Sequence, residues 1–179
     1  MNLPNKLTMT RLFMVPVFIV LFEIYGVTNW IPAIVFTLTA ATDFLDGYIA
    51  RSRNLVTTFG KFMDPLVDKV LTQAGYILLA GAGVIPSWTV IVIVFRELII
   101  TGLRTLAASN NLTIAASVYG KAKTVSQFIC IILYLLSGVL TQIPTVVFEI
   151  SLYLSVALTI ISGIEYVVKN KEVLDLDNI

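Results

Sequence analysis

Six apolar runs divide this chain, most of them close to the roughly 20 residues that a helix needs to cross a bilayer. They fall at about residues 10–25, 30–50, 65–82, 87–107, 116–140 and 144–168. The first is short and holds Pro16, so it is expected to kink or to begin at the membrane surface. No repeat, low-complexity tract or second domain interrupts the pattern, which predicts one domain over residues 1–179. The expected fold class is all-α: a polytopic membrane protein, built as a six-transmembrane-helix bundle.

The basic residues give this bundle a direction. Lys6 and Arg11 precede or open the first run, and Arg51, Arg53 and Lys61 lie between the second and third. Lys121 and Lys123 sit near the start of the fifth, and Lys169 and Lys171 follow the sixth. The alternate breaks at 26–29, 81–86 and 141–143 carry none. That one-sided bias places both termini and the 43–68 segment on the cytoplasmic face of the cell membrane. The opening M-N-L-P-N-K-L-T-M-T-R has no A-x-A-like cleavage site after it and reads as a retained interfacial segment.

Composition narrows the class further. Of 179 residues, 58% are hydrophobic and 13% charged, and the mean hydropathy is +0.92. These values exclude an ordinary soluble domain. A net charge of +1 gives no reason to expect a nucleic-acid partner. The absence of histidine removes imidazole acid–base chemistry, imidazole metal ligands and phosphohistidine intermediates. The single Cys130, in F-I-C-I-I-L, reads as a small buried hydrophobe rather than a nucleophile.

Against that background, four of the 11 acidic residues crowd into one 26-residue window. The window reduces to D-x2-D-G-x2-A-R-x8-G-x3-D-x3-D, with acids at Asp43, Asp46, Asp64 and Asp68. If 42–51 is helical, Asp43, Asp46, Gly47 and Ala50 fall at i, i+3, i+4 and i+7, on one face. Asp64 and Asp68 are i and i+4 on the next helix, whose start is marked by Pro65 after an Asp64 cap. A short loop over 52–61 can turn the two helices antiparallel, so that all four carboxylates point into one space. Four unpaired carboxylates there would repel, and divalent cations are the remedy. An all-oxygen set suits a hard ion, Mg²⁺ or Mn²⁺. Gly47 and Ala50 leave room for a bulky ligand, and Arg51 offers a planar fork for phosphate.

Charge recurs where it is expensive. Arg96 and Glu97 sit well inside the fourth run, and Arg104 lies eight residues on, near the Arg96 face. Charges inside a span usually serve function or face an aqueous cavity. A structural use also exists, with Arg96 paired to Glu97 or to Glu165 on another run. The fifth run opens with Y-G-K-A-K-T-V-S-Q, where Lys121 and Thr124 can share a face with Gln127 nearby, and Lys123 reads as a positive-inside anchor. At the N-terminus, Asn5, Thr8 and Arg11 recur every three residues and can line one side of an entering helix; capping and snorkelling are the plainer uses. Glu23 and Glu149 read as solvated ends, Glu172, Asp175 and Asp177 as a frayed tail, and Trp30 and Trp88 as interface anchors.

The eight fixed positions of the acidic window resemble the pattern of the CDP-alcohol phosphatidyltransferases. The resemblance implies that Asp43, Asp46, Asp64 and Asp68 ligate two divalent ions, with Asp68 also the general base. It implies that Gly47, Arg51, Thr57 and Gly60 contact the CDP-lipid, and it favours Asn5 and Thr8 as further contacts. R-E-x6-R followed by G-K-x-K-T is similar to the branch of the family that makes phosphatidylglycerophosphate. In that branch Arg96, Arg104 and Lys121 would hold the phosphate of the acceptor. The implied reaction takes CDP-diacylglycerol and sn-glycerol 3-phosphate to phosphatidylglycerophosphate and CMP. A homodimer among membrane lipids and a bacterial source follow by resemblance only. Another phosphorylated acceptor, such as inositol phosphate, would use the same basic group. A cation transporter using the aspartates is the reading from a different class.

Overall fold

The computed structural model describes residues 3–52, 58–109 and 117–171, with side chains described for 9–42, 69–108 and 117–171. Among these residues there are six helices and no strand: α1 (Leu3–Tyr25), α2 (Ile31–Ser52), α3 (Thr58–Gly81), α4 (Ser87–Ser109), α5 (Val118–Leu135) and α6 (Thr145–Lys169). The all-α expectation holds, and each apolar run becomes one helix.

The boundaries differ in informative ways. α1 begins at Leu3, so the opening segment, expected at the interface, is its first turns. α3 begins at Thr58, so Pro65 lies inside a helix instead of starting one, and Ser52 and residues 58–61 of the expected loop are helical. The sequence explains why. Phe59, Phe62, Met63, Leu66, Val67, Val70 and Leu71 keep a helical period straight through the proline. That continuous apolar stripe outweighs the one backbone hydrogen bond a proline removes. α5 stops at Leu135, short of the expected 140, and turns occupy 136–142.

The chain packs as two compact units, Met1–Ile85 with Ile131–Pro144, and Pro86–Cys130 with Thr145–Ile179. In the first, α1 packs on α2 and α3, and α2 on α3. Phe18 anchors this core, its ring centroid 5.4 Å from Phe36 and 6.4 Å from Phe22 in tilted geometry. Past the end of α3, Gly83 takes φ +71°, with Val84 N–H donating to Leu79 O and Gly83 N–H to Ala80 O. This is a Schellman stop, and it needs a residue that tolerates the left-handed region.

The turn after α5 is pinned to the turn after α1, where Gly138 N–H donates to Val27 O at 3.1 Å. A Cβ at Gly138 would stand 2.6 Å from that carbonyl oxygen and 3.0 Å from Thr28 Cα. Both neighbours are backbone and cannot swing aside. Gly138→Ala is therefore expected to destabilise the fold by about 1–3 kcal/mol, read as a lower Tm of the detergent-purified protein. An unchanged Tm would mean that this turn is not held against Val27.

In the second unit α4 packs on α6. α6 buries Ser155, Thr159 and Ser162, whose hydroxyls donate to Leu152 O, Ser155 O and Thr159 O on their own helix. Gln127 of α5 donates to Thr159 Oγ1 at 3.0 Å, tying α5 to α6. Cys130 is fully buried, as its apolar surroundings predict. Trp88 is half exposed and stacks on Tyr153.

α6 is 25 residues long and apolar enough to cross a membrane. Elsewhere, large apolar side chains face outward along the helices, among them Phe13, Ile77, Ile91, Phe95 and Leu98. That is the reverse of a soluble exterior.

Candidate functional site

The best-defined charged cluster is built on α4. Glu97 is only 6% exposed. Its Oε1 accepts a hydrogen bond from Arg96 Nη1 at 3.1 Å and another from Lys123 Nζ on α5. Two cations thus share one buried carboxylate, which limits the desolvation cost of each but leaves the trio with a net positive charge. Of the two partners considered for Arg96, Glu97 is the one found. Glu165 pairs instead with Lys169 on its own helix, at 2.6 Å.

Lys123 corrects an expectation. It reads from sequence as an interfacial anchor, yet it is 5% exposed and bound to Glu97. Helix geometry gives the reason: two residues advance about 200° around the axis. Lys123 and Lys121 therefore point to opposite sides, and Lys121 is the exposed one. Arg11 is corrected in the same sense, being 2% exposed rather than snorkelling to the surface. The start of α5, and so the position of Lys121, is set by Ser117, whose hydroxyl accepts the Gly120 N–H at 3.0 Å as a helix cap.

Arg104 lies two turns beyond Arg96 and is exposed. Its Nε donates to the Tyr166 hydroxyl at 3.0 Å, and its guanidinium carbon stands 5.4 Å from the centre of the same ring. Arg96 also leans on α6: a Cβ at Gly163 would come 3.1 Å from Arg96 Cγ. Both arginines are thus supported by the end of α6. Sequence reasoning missed Tyr166 and Gly163. The available signal was general, since a tyrosine in an apolar helix needs a partner for its hydroxyl.

The acidic window is placed by the backbone. Asp43, Asp46, Gly47 and Arg51 lie in α2, and Gly60, Asp64 and Asp68 in α3, two helices packed on each other and flanking residues 53–57. Helical structure through 42–51 agrees with the i, i+3, i+4, i+7 spacing, and Gly60, Asp64 and Asp68 follow at i, i+4 and i+8. The side chains of Asn5, Thr8, Asp43, Asp46, Gly47, Arg51, Gly60, Asp64 and Asp68 lie outside the described residues, as does Thr57 entirely. Among the described residues no group of His, Cys, Asp and Glu could hold a metal ion. The donor set of the window, four carboxylates from adjacent helices with no sulfur or imidazole, fits a hard divalent ion.

Comparison with known proteins gives consistent matches. A family model described as CDP-alcohol phosphatidyltransferase matches residues 1–161. The chain is 39% identical to the CDP-diacylglycerol–glycerol-3-phosphate 3-phosphatidyltransferase of Bacillus subtilis, over 99% of both chains. It is 38% identical to the protein of that name from Rickettsia typhi, over 92% of this chain and 94% of the other. For the one from Wigglesworthia glossinidia brevipalpis the identity is 36%, over 93% of each.

Proposed function

Because this chain belongs to the CDP-alcohol phosphatidyltransferase family, we propose that it transfers the phosphatidyl group of CDP-diacylglycerol to sn-glycerol 3-phosphate. The products are phosphatidylglycerophosphate and CMP, and the product lipid feeds phosphatidylglycerol synthesis. The observation that carries the choice of acceptor is Arg104. It is an exposed guanidinium on an apolar helix, held through Nε by Tyr166, with its terminal N–H groups unengaged among the described residues. Such a fork suits a phosphate monoester. The names of the bacterial relatives agree.

In this reading Asp43, Asp46, Asp64 and Asp68 hold two divalent ions, Mg²⁺ or Mn²⁺. When bound, those ions supply charge neutralisation at the pyrophosphate. Gly47, Arg51, Thr57 and Gly60, with Asn5 and Thr8, bind and orient the CDP-lipid. Arg104 and Lys121 bind the acceptor phosphate from the exposed side, and Arg96 adds positive charge from its buried trio. Holding the acceptor this way presents its 1-hydroxyl in line with the phosphatidyl phosphorus. Asp68 takes the hydroxyl proton, the new P–O bond forms, and the bond to CMP breaks with its electron pair leaving on the CMP phosphate. A single displacement is favoured, because the chain has no histidine and its one cysteine is buried.

The family model runs through residues of both units, which supports one catalytic domain over 1–179. The apolar exteriors of the helices and the one-sided basic residues support a six-span protein of the cell membrane. Its termini and active site then face the cytoplasm. A homodimer is part of the same reading.

The test is CMP release by purified protein in detergent–lipid micelles with CDP-diacylglycerol and Mg²⁺. CMP is expected only with glycerol 3-phosphate, and not after chelation. Release only with inositol phosphate would overturn the acceptor and keep the donor chemistry. Metal-dependent ion flux in liposomes without CMP release would replace the enzyme by a transporter.

A further inference from the structure

We propose that Tyr166 is a positioning residue for the acceptor, fixing Arg104 so that it meets a phosphate monoester end-on; this rests on the function proposed above. An arginine can grip an anion side-on, through Nε and one terminal nitrogen, or end-on through both terminal nitrogens. In this chain Nε is committed to the Tyr166 hydroxyl at 3.0 Å, which closes the side-on grip. The ring beneath the guanidinium, 5.4 Å from its carbon, adds a cation–π contact and restrains tilt. Tyr166 is itself 3% exposed, so its hydroxyl stands at a fixed place. A long exposed side chain is thereby ordered before any ligand arrives, and the entropy of ordering it is not charged to binding.

The experiment is steady-state kinetics of wild type, Tyr166→Phe, Arg104→Ala and the double variant, each substrate varied in turn. Glycerol 3-phosphate binding is followed in parallel by calorimetry. Tyr166→Phe keeps the ring and loses only the hydroxyl. It is expected to raise the KM and Kd for glycerol 3-phosphate about tenfold, the size of one charge-assisted hydrogen bond. The KM for CDP-diacylglycerol and the saturating rate should stay within about twofold. The double variant should match Arg104→Ala alone, because the hydroxyl acts only through that arginine. Equal losses toward both substrates, or additive effects in the double variant, would overturn the positioning role. Unchanged acceptor affinity in Tyr166→Phe with an active wild type would sink this inference and leave the function intact. A wild type that neither binds glycerol 3-phosphate nor turns it over would sink both. A Tm within a few degrees of wild type separates these effects from misfolding.

Discussion

Asp68→Asn is expected to lower turnover by about three orders of magnitude or more while leaving CDP-lipid binding measurable. The size follows from the role. A positioned general base contributes roughly 10²–10⁴-fold, and the same substitution weakens one donor of the carboxylate set. Asparagine preserves the volume and the helical position, so the loss would not come from the fold. Asp68 stands one turn past Asp64 on α3. Asp64→Asn should therefore impair activity through the ion, and extra Mg²⁺ should restore part of it. Asp68→Asn should resist that rescue. Near-normal turnover by Asp68→Asn at any Mg²⁺ concentration would remove it as the base.

Glu97→Ala is expected to give the largest loss of stability of any single substitution in the second unit. Arg96 and Lys123 both donate to its Oε1, with the side chains of all three less than a seventh exposed. Removing the carboxylate takes away the acceptor that both buried cations share. Breaking a buried ion pair from one side costs about 3–5 kcal/mol, and here one anion serves two partners. Glu97→Gln should lose most of the same stability, because the amide keeps the volume and not the charge. Adding Lys123→Met to Glu97→Gln should recover part of it, since a buried cation that has lost the Glu97 carboxylate goes as well. Thermal unfolding of the four proteins in detergent reads the coupling directly. A Tm for Glu97→Gln equal to wild type would show that the carboxylate is not what holds the two cations in the interior.

These two predictions sit on parts of the chain that were not equally legible. The acidic window could be read because α2 and α3 are consecutive, so one stretch of sequence holds both faces of the proposed site. The helical period sets the spacing there, and the apolar stripe running through Pro65 outweighs the start signal that a lone proline offers. The charged trio and the Arg104–Tyr166 pair are another matter. Lys123 meets Glu97 across 26 residues, and Tyr166 meets Arg104 across 62. No local periodicity encodes such pairings; they follow from how α4, α5 and α6 pack. Sequence could say that charge inside an apolar helix needs a partner, and it named Glu97 among the candidates for Arg96. It could not tell that Lys123 turns inward while Lys121 turns outward, because that depends on where Ser117 starts the helix.

The hydroxyls of α6 bear on how the protein enters its bilayer. Ser155, Thr159 and Ser162 each donate to a carbonyl of their own helix, and Glu165 is neutralised by Lys169 one turn away. The three hydroxyls of α6 are therefore satisfied within their own helix and need no neighbour in an apolar surrounding. α5 differs, because the Gln127 amide is satisfied by Thr159 on another helix. In hydrocarbon that amide remains a debt until α6 is alongside. The two helices thus differ in dependence: the buried hydroxyls of α6 are satisfied within their own helix, and the buried amide of α5 is satisfied only once α6 lies beside it.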